Sequence, residues 1–200
     1  MSSIPIENMA KLLELNQYLI REKFWKIFGN KFRIMDEQDN LYGFCDQKRF
    51  KIKEDIRVYD DENKNNEWLV IKQKNFIDAW GGFDIYDPNA GVLLGTVRKK
   101  FWNSILRTRW ELLDSEGQNI GVLEEDSLGY ALARRTFLGI LPKKYTLHTI
   151  GSDVPITMRQ KFNPIIKKLV VNIPPEHPFD RRYIAGLALV IAALDGRGSK

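Results

Sequence analysis

Cysteine is almost absent from this sequence: Cys45 is the only one. That excludes an internal disulfide, and a reducing interior fits the composition best. Cys45 sits in the alternating stretch YGFCD with no evident partner base, so it reads as a small packed hydrophobe. Histidine is scarce as well. His148 and His177 are the only two, too few and too separated for a histidine-based metal motif. The chain contains no P-loop, no G-x-G-x-x-G and no G-x-S-x-G nucleophile elbow. No catalytic constellation emerges, so neither enzyme activity nor a cofactor or metal is expected. Long apolar runs are missing too. The greasiest stretch, YIAGLALVIAAL at Tyr183 to Leu194, falls short of the roughly 20 residues that span a bilayer as a helix. The opening MSSIPIENMAKLL has no basic region ahead of an apolar core, so no signal peptide is expected.

Excess charge is modest. Thirty-one Lys and Arg stand against 26 Asp and Glu, for a net +5 on 200 residues. This permits an acidic partner without demanding one. Hydrophobic residues at 44% and charged residues at 28% match an ordinary globular chain. A chain of this length buries roughly 70% of its unfolded surface, enough for a sizeable core.

What the sequence does have is alternation. Residues 1–15 form a helical extension, with Ile6, Met9, Leu12 and Leu13 at helical spacing. From residue 16 to 200 the period is mostly two, and the segment reads as a single domain. FRIMDEQDNLYGF (Phe32–Phe44), FDIYDPNAGVLLGTV (Phe83–Val97) and WELLDSEGQNIGVL (Trp110–Leu123) repeat one unit: alternating residues, an acidic turn, alternating residues. IRVYDDENKNNEWLVI (Ile56–Ile71) is a longer-looped relative. These are β-hairpins. The recurring Asp36, Asp39, Asp60, Asp61, Asp87 and Asp114 match no calcium-loop spacing and are assigned to turn stabilisation. Shorter strands are expected near Tyr18–Lys23, Phe50–Lys53, Tyr145–Thr149, Ile156–Phe162 and Lys168–Ile173, and a helix near Ser127–Phe137. The count reaches about a dozen strands.

The apolar run near the carboxy terminus fits this count. Asp180 is a good N-cap, Phe179 and Ile184 occupy staple positions, and Gly196 is a stop signal. A helix apolar on every face must be enclosed on every side. A closed antiparallel barrel of a dozen strands has a lumen too wide for its own side chains to fill. The expected fold is therefore mainly β, a closed antiparallel barrel of about twelve strands around a central hydrophobic helix.

Three stretches carry a family resemblance: YLIREKFWKIFGNKFRIMDEQDNLYGFCDQKRF (Tyr18–Phe50), GTVRKKFWNSILRTRWELLDSEGQNIG (Gly95–Gly121) and DRRYIAGLALVIAALDG. From about residue 16 onward the chain resembles the Tubby C-terminal-like superfamily, nearest its LURP-one-related and phospholipid scramblase branch. The resemblance implies a twelve-stranded barrel around a central helix. It also implies membrane association: Tubby-type domains bind phosphoinositides through exterior Lys and Arg, and scramblase relatives are linked to calcium-dependent lipid movement. Scramblases have a palmitoylated cysteine cluster, which this chain lacks. Where their acidic calcium segment lies, NIPPEHPFD offers only Glu176 and Asp180, so calcium binding is not carried over.

The densest basic cluster is Arg98, Lys99 and Lys100, followed by Arg107 and Arg109 and interleaved with Phe101, Trp102 and Trp110. Arg134, Arg135, Lys143 and Lys144 make a second. Cations beside aromatics suit an anionic membrane surface. These nine residues are the candidate lipid- or phosphate-binding set. The expected function is a non-catalytic module binding acidic phospholipid headgroups, cytoplasmic and peripheral to the membrane. Scramblase-like lipid transfer and a soluble protein-interaction scaffold are the alternatives. The partner is then an acidic membrane surface or a protein. Nucleic acid is not expected, because +5 over 200 residues is weak against a basic stripe.

Overall fold

The two-residue period sets the architecture. Phe32 and Ile34 are each 1% exposed, while Arg33 between them is half-buried. Every second side chain therefore points to one common interior. The computed structural model describes residues 4–25, 29–47, 55–74, 82–100, 109–126, 142–161 and 166–195. After helix α1 (Ile4–Glu14) come β1 (Gln17–Trp25), β2 (Gly29–Met35), β3 (Leu41–Gln47), β4 (Ile56–Tyr59), β5 (Glu67–Gln73) and β6 (Gly82–Asp87). Then follow β7 (Val92–Lys100), β8 (Arg109–Leu113), β9 (Asn119–Glu125), β10 (Lys144–Thr149), β11 (Ser152–Lys161) and β12 (Lys167–Asn172). The last element is α2 (Arg181–Asp195). Each strand pairs antiparallel with its neighbours in sequence, and β1 pairs with β12 to close a twelve-stranded barrel. The hairpins expected at Phe32–Phe44, Ile56–Ile71, Phe83–Val97 and Trp110–Leu123 are four of its turns-and-arms. The strand expected at Phe50–Lys53, the helix at Ser127–Phe137 and the stop at Gly196 lie outside the described residues.

The acidic turns work as turns. Asp36 Oδ1 accepts from the amides of Gln38 and Asn40, both at 2.9 Å. Asp61 does the same for Asn63 and Lys64, Asp87 for Asn89 and Ala90, and Asp114 for Glu116 and Gln118. Burial opposes the ionisation of Asp36, yet hydrogen bonds from Asn40, Tyr42 and Gln38 hold its carboxyl below the usual range. No group of three or more His, Cys, Asp or Glu among the described residues is arranged to hold a metal ion.

Helix α2 runs through the lumen. Ile184, Ala185, Leu187, Ala188 and Val190 are 0% exposed, and the strand residues Val58, Leu69, Ile85, Val97, Leu112 and Leu123 share one core with them. Slimness is required. A Cβ on Gly186 would lie 2.8 Å from Ile85 side-chain atoms. Leu12 of α1 is also in this core, and α1 lies against β3. Cys45 packs here too, and burial pushes its thiol up to about 12.

The entry to α2 is tightly held. Asp180 caps it, accepting from the Arg182 amide at 2.8 Å. Arg182 also bonds Asp87 Oδ2 at 2.5 Å. Arg181 donates to the Leu15 carbonyl and to Asn16 Oδ1. The Phe179 ring lies 5.4 Å from that of Tyr183, one residue before the expected staple partner.

His177 ties this entry to β10. Its Nδ1 accepts from the Phe179 amide at 3.2 Å, so the proton sits on Nε2, 3.2 Å from Thr149 Oγ1. Burial, with Arg181 nearby, lowers its pKa below the ordinary 6.5. The sign follows. Below pH 6.5 the unfolded chain takes up the proton more readily than the fold does. Stability should be complete above 6.5 and fall as pH drops through the lowered folded value. The slope is at most about 1.4 kcal/mol per pH unit. Melting curves at pH 7.5 and 5.5 should show the drop, and His177→Asn should flatten it; an unchanged slope in the variant would show that another group titrates.

Candidate functional site on the barrel wall

The expected run Arg98–Lys99–Lys100 is divided by the strand period. Val97 is in the core, so Lys99 shares its side, with the ammonium 5.6 Å from the ring centroid of buried Trp110. Arg98 and Lys100 point outward. Lys100 Nζ bonds Glu111 Oε1 at 2.7 Å, and Arg109 Nη1 lies 3.4 Å from Glu124 Oε1. Arg98 stands across from Gly82 and Glu111. Lys144 Nζ is 2.9 Å from Asp126 Oδ2. Burial opposes the ionisation of Asp126, but hydrogen bonds from Lys144 and Thr146 bring its pKa below the usual range. Lys143 is half-buried, its backbone exchanging hydrogen bonds with Gln160. Arg107, Arg134 and Arg135 lie outside the described residues. The structure thus brings Arg98, Lys100 and Arg109 to neighbouring strands, with acidic partners interleaved. It places Lys143 and Lys144 apart from them, at the start of β10.

A different group of cations stands together. Along β11, β12, β1 and β2 the register puts Lys161 opposite Lys168, Lys168 opposite Arg21, and Arg21 opposite Arg33. All four alternate with lumen residues: Ile156 and Met158, Leu169 and Val171, Ile20, and Phe32 and Ile34. They therefore share the outer face. Adjacent strands lie about 4.8 Å apart, so the row covers about 14 Å. In the adjacent row Lys144 faces Arg159, and Arg159 faces Val170. Lys31 is on the other side of the row, opposite Asp46 and Lys23.

Few carboxylates answer these charges. Arg33 binds Glu62 Oε1 at 2.6 Å, and Lys31 lies 5.9 Å from the Phe44 ring centroid. Among the described residues, Arg21, Lys31, Arg159, Lys161 and Lys168 have no ion-pair partner. Lys72 and Arg98 also lack one; like Lys31 across from Asp46, each faces a carboxylate residue across the strand, Asp84 and Glu111, whereas Arg21, Arg159, Lys161 and Lys168 face none. Like charges directly opposite on adjacent strands are destabilising, so this wall stores electrostatic repulsion.

The row escapes a reading of the sequence because its members stand at positions 21, 33, 161 and 168, each in an ordinary alternating strand. The pattern that reveals it is one cation at an outward position near the same end of four strands. Net charge hides it, since most exposed carboxylates collect elsewhere: Glu37, Asp39, Glu116, Asp153 and Glu176 stand at the turns around the α2 N-terminus, and of the turn carboxylates Glu62 reaches the row, at Arg33.

A cavity of about 20 Å³ beside Ile20, Glu22, Leu169 and Ala192 has space for about one water. No helix among the described residues is long and apolar enough to cross a membrane. The chain matches no known family model, and no curated protein matches it.

Proposed function

We propose that the barrel is a non-catalytic module that binds acidic phospholipid headgroups at a membrane surface. The observation that carries this reading is the row Lys161–Lys168–Arg21–Arg33 with Arg159 and Lys31 beside it, five of these six cations lacking an ion-pair partner among the described residues. A basic group near an anionic leaflet contributes about 1 kcal/mol, so five together hold a protein there without insertion. The closed barrel around a helix is also the architecture that the Tubby-like, LURP-one-related resemblance implies. Lipid transfer of the scramblase kind needs a segment that enters the bilayer, and the apolar helix here is sheathed by strands.

The test is co-sedimentation with vesicles. Binding to phosphatidylserine-containing vesicles is expected at low salt, with little to phosphatidylcholine alone. Binding should weaken steeply as salt shortens the screening length from about 30 Å at 0.01 M to about 8 Å at 0.15 M. Equal retention on both vesicle types at low salt removes the reading.

A further inference from the structure

Resting on that reading, we infer that the barrel docks side-on through its β11–β12–β1–β2 wall and reads the charge density of a flat anionic lipid surface, not the structure of one headgroup. The six cations are ladder positions on a convex wall, where outward side chains diverge. A pocket for one headgroup needs the opposite arrangement, groups converging on one point.

The neighbours of the row support the same mode. The next outward positions on β12, β1 and β2 are Val170, Leu19 and Met35, in register with one another. They form their own apolar cluster, separate from the lumen core. The flank beside the row there is aliphatic, so it offers no hydroxyl, amide or carboxylate to read a serine, a glycerol or an inositol ring. These three are only 6–9% exposed, so they furnish an apolar floor beneath the cations and nothing that penetrates. Orientation is fixed from the other direction too. The exposed carboxylates around the α2 N-terminus turn that end of the barrel away from an anionic sheet.

Three measurements on the full chain test this. In the first, vesicles carry equal mole fractions of phosphatidylserine or phosphatidylglycerol. Equal affinity is expected, with no competition from soluble glycerophosphoserine. A clear preference for one lipid, or displacement by the soluble headgroup, overturns the inference. In the second, Arg21→Gln/Lys161→Gln/Lys168→Gln should lose on the order of a hundredfold in affinity for either vesicle, while Lys100→Gln/Arg109→Gln stays near wild type. The reverse ranking overturns the inference and leaves the membrane reading standing. Should the triple variant fail to fold, Lys161→Gln alone, exposed near the end of β11, should still lose about fivefold.

The third measurement fixes orientation. With Cys45 buried, a fluorophore can be attached at Thr157→Cys on the wall or at Glu116→Cys among the acidic turns. Quenching by spin-labelled lipid is expected at 157 and not at 116; the opposite pattern overturns side-on docking. Wild-type protein that ignores every vesicle sinks the inference and the membrane reading together. Retention on a short DNA duplex without vesicle binding does the same and assigns the wall to nucleic acid.

Discussion

Leu187→Asp is expected to yield a chain that does not fold. Leu187 is 0% exposed in the middle of α2, inside the lumen. The substitution removes a buried leucine, worth about 2–5 kcal/mol, and puts an unpaired carboxylate in its place at several kcal/mol more. A domain of this kind has only about 5–15 kcal/mol in total. No side chain of α2 from Tyr183 onward within the described residues carries a positive charge that could pair with the new one. Circular dichroism and gel filtration should show a collapsed or aggregated product. Leu187→Met, which nearly conserves volume, should cost under about 1.5 kcal/mol. A Leu187→Asp protein with a near-normal melting temperature would show that water reaches the helix and that the lumen is not dry.

Gly95→Ala is expected to be nearly as damaging, although it adds one carbon atom. Gly95 has φ +156°, and a Cβ there would lie 2.3 Å from the Leu113 carbonyl oxygen and 2.6 Å from Tyr183 Cε2. The first obstacle is backbone and cannot swing away. The second is a buried ring whose hydroxyl donates to the Thr96 carbonyl at 2.8 Å, with the Leu113 carbonyl 3.2 Å away. The absent side chain of Gly95 is thus the notch through which Tyr183 fastens the helix to β7 and β8. Filling it forces apart the seam of two strands and unseats the tyrosine, for about 4 kcal/mol. Chemical denaturation should register the loss. Tyr183→Phe, which keeps the ring and drops the hydroxyl, should cost about 1–3 kcal/mol. If Gly95→Ala costs less than Tyr183→Phe, the notch is not the constraint.

The hairpins were legible because their signals are local. Phe32/Ile34 alternation, an Asp with backbone amides two and more residues ahead, and a second alternating arm all fit within fifteen residues. The central helix was legible because an all-round apolar run has few places to go. The lipid-binding set was not legible in the same way. RKK looks like the strongest basic signal in the chain, but consecutive residues of a strand face opposite ways. Lys99 goes to the Trp110 side, and Lys100 is answered by Glu111 from β8. The wall row depends on register between strands far apart in sequence, as when Arg21 meets Lys168. Register is decided by where the hydrophobic positions of all the strands come into line. No local pattern around position 21 or 168 states it.

The pairing of β1 with β12 also has a meaning for synthesis. A ribosome releases the strand that must end beside β1 only after ten others, and the rod that fills the middle emerges later still. Until then each hairpin offers a greasy inner surface with nothing to cover it. Completion of the fold is therefore a single late event that waits for the synthesis of α2. A nascent chain stalled ahead of α2 should engage chaperones instead of resting as a stable partial barrel.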